Sequence, residues 1–151
     1  MKKLSPLAAL CFFACAPLIN DVTTTPDAPP RFRSAARLPD YPAGNAAPQR
    51  RAYPDLKPVV RSEPPAKAYE AALAAARRMP RWDIVAQDAE AFVIEAVATT
   101  GLLRFKDDIV IEVRPQGAGS AVHVRSKSRM GKGDLGANAA RIRAFTQELS
   151  R

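Results

Sequence analysis

The residues best suited to chemistry in this 151-residue chain gather in two places. One is the adjacent carboxylate pair Asp107-Asp108. The other is the run Ser128-Arg129-Met130-Gly131-Lys132-Gly133-Asp134, with Asn138 and Arg141 just beyond it. Carboxylates beside arginines are what acid–base work on an anionic substrate requires. In that reading Asp107 is the acid or base, and Arg129 and Arg141 clamp the anion. Asp107 and Asp108 cannot act as a two-aspartate dyad on a strand, because neighbouring side chains point to opposite faces. Gly131-Lys132-Gly133 ahead of a helix offers an anion free amides and a helix dipole. The G-x-x-x-x-G-K-[ST] spacing of a P-loop is missing.

Each of these features also has a structural reading, and that reading is the expectation. Asp107, Ser128, Asn138 and Arg141 would converge as a buried polar network fixing a helix on a sheet. Asp134 would cap the strand-to-helix turn. No catalytic residue is assigned. His123 is the only histidine and Cys11 and Cys15 are the only cysteines. A histidine cluster or a cysteine-ligated metal is therefore excluded, and no cofactor is expected. His123 itself is expected on an exposed strand face. The net charge of +8 is spread along the chain, and no basic stretch is interleaved with aromatic residues, so a nucleic-acid partner is not expected.

Periodicity supplies the elements that position these groups. Ser62-Glu63-Pro64-Pro65 opens a helix, with Ala66, Tyr69, Leu73 and Ala76 on its apolar face and Met79-Pro80 as its stop. Strands are expected over 82–87, 92–100, 105–114 and 120–128, joined by short turns and therefore antiparallel. Placing Ile109 opposite Ala96 and Ile111 opposite Val124 puts Phe92, Ile94, Ala96, Phe105, Ile109, Val122 and Val124 on one core face. Trp82 and Tyr69 are expected in that core. The opposite face carries Glu95, Asp108, Glu112, His123, Arg125 and Lys127 and reads as solvated. A final helix would bury Leu135, Ala139, Ile142, Phe145 and Leu149. The predicted fold is α+β, a four-stranded antiparallel sheet with two helices on one face.

The start of the chain reads differently. Lys2-Lys3 and the apolar run Leu4–Ala14 have the shape of a secretory signal over residues 1–15, too short to span a bilayer. Phe12-Phe13-Ala14-Cys15 reads as a lipobox, which would lipidate Cys15. Ala14-Cys15-Ala16 reads as an ordinary cleavage site, and both routes stay open, with lipidation favoured by the short apolar run. Residues 16–58 hold many of the chain's 14 prolines and are expected to be a disordered Pro/Ala/Arg-rich tether. The folded domain is then expected over 59–151. Tyr53, Leu56 and Val59-Val60 are candidates to pack back on it as a short edge strand. A lipid-anchored protein on the periplasmic side of the envelope, at the outer membrane, follows from the lipobox reading.

The spaced signature Ser128-Arg129-x-Gly131…Asp134-x-Gly136-x-Asn138-x-x-Arg141-Ile142-Arg143-x-Phe145, with Trp82 and Phe105-Lys106-Asp107-Asp108, resembles the bacterial domain of unknown function family 1499. The resemblance covers residues 53–149 and departs at Gly133, where such proteins would carry a serine. It implies an exported or membrane-associated domain without an assigned activity. The partners expected are a membrane, through the lipid, and an envelope protein or a small anionic ligand.

Overall fold

The computed structural model describes residues 16–34 and 38–151. The expected leader over 1–15, including lipidation at Cys15, lies outside the described residues. Six strands form one antiparallel sheet: β1 (Asp21–Thr23), β2 (Val59–Arg61), β3 (Trp82–Asp88), β4 (Val93–Thr99), β5 (Lys106–Gln116) and β6 (Gly119–Ser128). Among the described residues three α-helices accompany it: α1 (Ala46–Ala52), α2 (Pro65–Arg78) and α3 (Ala137–Leu149). The four expected strands are β3 to β6. The sheet has two more because β1 and β2 both pair with β6, along successive stretches of its free edge.

The expected register holds. Ile109 faces Ala96, Ile111 faces Val124 and Asp107 faces Ser128. The alternation of apolar residues selects it, because a slip of one residue would turn every core side chain outward. On the core side, α2 and α3 cover Ile94, Ile109, Ile111, Val122 and Val124. Pro64 and Pro65 start α2, and Met79 ends it in an extended conformation. Its buried face is Ala68, Tyr69, Ala72, Ala75 and Ala76. Ala66 is exposed and Leu73 only partly buried, a small rotation from the expected face, with alanines giving the helix a low profile against the core. Trp82 stacks on Phe145 at a centroid distance of 5.7 Å. Phe105 and Leu135 are exposed rather than buried, since both lie in turns beyond the ends of β5 and α3.

The larger correction concerns residues 16–58. The described ones, 16–34 and 38–58, pack within the fold and are not an extended spacer. Ile19 and Val22 enter the core, and Tyr53 and Leu56 join it from the chain after α1. Between them the proline-rich stretch lies on the second face of the sheet. Val93, Glu95, Val97, Asp108, Val110, His123 and Arg125 on that face are all buried, so it is a second interior rather than a solvated surface. The domain has three layers: two helices, the sheet, and the N-terminal segment.

Candidate functional site

The polar signature is assembled where β6 hands over to α3. Asp107 and Ser128 are neighbours across β5 and β6 and point to the helix side. Arg141, one turn into α3, reaches back over them. Its guanidinium donates to Asp107 Oδ2 at 2.5 Å, to Asn138 Oδ1 at 2.7 Å and to Ser126 Oγ at 3.0 Å. Asn138 is fully buried. Its Oδ1 also accepts from Ser126 Oγ at 2.6 Å, and its Nδ2 donates to Ser128 Oγ at 2.9 Å and Asp134 Oδ2 at 2.7 Å. Asp107 is 3% exposed. Four of the expected residues, Asp107, Ser128, Asn138 and Arg141, thus meet, and Ser126 joins them.

Asp134 belongs to the same cluster through its capping role. Oδ1 accepts the Gly136 amide and Oδ2 the Asn138 amide, each at 2.9 Å. These are first-turn donors of α3, the groups an external anion would use. The helix N-terminus therefore already holds a carboxylate of its own chain. Gly136 needs its left-handed φ of 87° to turn from this cap into the helix, and Gly131 turns at φ 82°. Lys132 stands exposed on the turn between them. A Cβ at Gly133 would lie 2.8 Å from Leu18 Cδ1, so a serine there requires only that the end of a flexible side chain move.

Arg129 does not join the cluster. It leaves β6 on the second face and grips Asp108 with Nε at 2.9 Å and Nη2 at 2.7 Å. That hydrogen bonding raises the guanidinium pKa further. Arg129 and Arg141 therefore hold carboxylates on opposite sides of the sheet and do not form one clamp.

A second polar cluster, on that far face, was not anticipated. Arg125, 1% exposed, makes a bidentate pair with Asp21, 0% exposed, at 2.9 and 2.7 Å. It also donates to the carbonyls of Pro30 and Pro39 and lies 5.0 Å from the Phe32 ring centroid. Gln49 pins β1 by accepting from Thr23 N, donating to Thr23 O and accepting from Tyr41 Oη. Burial, with Asp21 nearby, pushes the Tyr41 phenol up to about 12. Glu95 accepts from the amides of Arg33 and Ser34 and from the Ser34 hydroxyl. His123 Nδ1 is 2.6 Å from Thr25 Oγ1, and burial, reinforced by Arg114, pushes its pKa down to about 4. The expected exposed histidine is thus a buried one. The sequence did carry a signal that this segment packs: Ile19, Val22, Tyr41, Tyr53 and Leu56 are large apolar residues placed among the prolines, the first two and last two in the helix-side core and Tyr41 at this cluster.

Beside this cluster lies a cleft of about 620 Å³, lined among others by Arg31, Phe32, Arg33, Tyr41, Glu112 and Arg114. A smaller cavity of about 150 Å³ lies between Phe32, Leu38, Val97 and Arg129. Neither is lined by Asp107. Among the described residues no group of three or more His, Cys, Asp or Glu could hold a metal ion, and no helix is long and apolar enough to cross a membrane.

Residues 21–149 match the family described as "Protein of unknown function (DUF1499)". The chain belongs to this family. The match begins at β1, so the DUF1499 domain includes the segment that covers the second face. No functionally curated protein matches the chain. Among solved structures it is similar to Ara h 8.0201, at 15% identity and a TM-score of 0.41, covering 63% of this chain and 96% of that one. It is also similar to protein CV1439 from Chromobacterium violaceum, at 13% identity and a TM-score of 0.35, covering 61% and 92%. TTHA0849 from Thermus thermophilus follows at 14% identity and a TM-score of 0.30, covering 62% and 83%.

Proposed function

We propose that this DUF1499 protein is a non-enzymatic binding module, held on the periplasmic side of the envelope by a lipid on Cys15, and that its polar signature serves the fold. One observation carries the reading. Asp107, the acid or base of the enzyme reading, is 3% exposed and held by Arg141, which favours a structural role for it. An enzyme would need that carboxylate open to a pocket. The cap at Asp134 likewise fills the anion position at the start of α3. Ligand binding then falls to the cleft on the second face, where Arg31, Arg33 and Arg114 stand beside the Phe32 and Tyr41 rings. Asp27, Asp40 and Glu112 line it as well, with Arg31 paired to Asp40 and Arg114 to Glu112, so a small anion or an acidic side chain of an envelope protein would bind by competing with these carboxylates for the arginines.

Thermal melts with phosphate, carboxylates and acidic peptides test this. A ligand at 100 times its Kd stabilises by about 2.7 kcal/mol, a readily measured shift. The shift should vanish in Arg114→Ala and persist in Lys132→Ala. The reverse pattern would return the site to the basic turn, and turnover abolished by Asp107→Asn would make the protein an enzyme.

A further inference from the structure

Among the described residues, six of the eight exposed large apolar ones lie at one end of the sheet: Leu18, Leu102, Leu103, Phe105, Met130 and Leu135. The topology brings them there. The β4–β5 turn carries Leu102, Leu103 and Phe105, and the chain leaving β6 beside it carries Met130. Arg129 N bonds to Lys106 O, which ties these two loops together. Leu18 comes alongside because Asp134 N bonds to Ile19 O and Ser128 N to Asn20 O. Nothing in the fold requires these side chains outside: Leu102 is 92% and Leu135 83% exposed. Patches of this kind on a soluble domain mark interaction surfaces.

The charges between them have one sign. Arg104 and Lys132 are exposed within these loops and Lys106 at the adjoining start of β5, and the loops' one carboxylate, Asp134, is engaged by the α3 amides. Apolar side chains among cations suit a bilayer with anionic headgroups, whose interface takes the former and whose surface potential attracts the latter. The rest of the chain enters here too. Residues 1–15, with the apolar run Leu4–Ala14 and Cys15, join the fold at Ala16, two residues before Leu18.

We infer that this end of the domain docks directly on an anionic membrane surface, with the β4–β5 turn and the β6–α3 loop in the interface. The inference deepens the proposed anchoring: with residues 16–34 packed into the fold, a lipid on Cys15 would hold this end against the bilayer.

The test omits the lipid, so the two readings can fail separately. Every described element lies within 16–151, so a chain starting at Ala16 carries all six strands and the helices that pack on them. Its partition onto vesicles of phosphatidylglycerol and of phosphatidylcholine is measured by sedimentation. Binding to the anionic vesicles is expected, at least about tenfold weaker in Leu102→Asp/Leu103→Asp. It should weaken about fivefold in Lys132→Ala. Melting points should not change, because all three side chains are exposed. No binding to either vesicle, equal binding by the leucine variant, or self-association through this end instead would overturn the inference. An unmodified Cys15 in the exported full chain, with vesicle binding intact, would sink the lipid anchor and leave the docking surface standing.

Discussion

Replacing Arg125 with methionine tests whether the N-terminal segment is an integral layer. The wild-type guanidinium makes two bonds to Asp21 and two to proline carbonyls, with both charges essentially excluded from solvent. Arg125→Met leaves Asp21 buried with only Lys127 nearby, at 3.8 Å. Removing one member of such a pair typically costs about 3–5 kcal/mol, because the survivor stays desolvated. The midpoint of thermal unfolding should fall by roughly 15 °C for a domain of this size. Hydrogen exchange should also show local release, with the Thr24 amide, bonded to Val124 O, losing protection before the β4–β5 amides do. Asp21→Asn/Arg125→Met should recover part of the loss, since no charge is then left alone. An unchanged melting point with an unprotected Thr24 amide in the wild type would refute the argument and restore the spacer reading.

Two further outcomes follow from the same face. A chain truncated to start at Val59 should aggregate or fail to fold, because it uncovers Val93, Val97 and Val110 and strands Arg125 and Glu95; a monomeric, cooperatively melting product would contradict this. His123 should make stability fall as pH drops from its ordinary 6.5 to about 4. The fold holds the imidazole neutral, so its contribution is full above 6.5 and is lost as the unfolded chain takes up the proton. The loss is roughly 2 kcal/mol after allowance for partial solvation. His123→Gln should flatten that part of the pH profile, and an unaltered profile would count against the buried neutral ring.

The helix side of the sheet was legible because its rules are local. Alternating apolar residues fixed the strand register, and short turns fixed antiparallel pairing. With the register known, Asp107, Ser128, Asn138 and Arg141 had to face one another. The second face was not legible because its counter-charges are remote. Asp21 and Arg125 are 104 positions apart, and the segment between β1 and α1 binds Arg125 through backbone carbonyls that no side-chain pattern reveals. A three-residue strand such as β1 also leaves too short an alternation to recognise. Prolines that argue against regular elements are fully compatible with an ordered covering layer. Phe105 and Leu135 mark the limit of periodicity, which continues one step past the element ends although the chain has already turned away.

A structural clasp at the DUF1499 signature implies strong coupling between Asp107 and Arg141, which a double-mutant cycle of Asp107→Asn and Arg141→Met, followed by denaturant unfolding, measures. Asp107→Asn should cost about 2–3 kcal/mol, and the pair should be coupled by at least about 1.5 kcal/mol. An Asp107→Asn variant as stable as wild type or more so, as expected of a carboxylate kept for activity at the expense of stability, would contradict it.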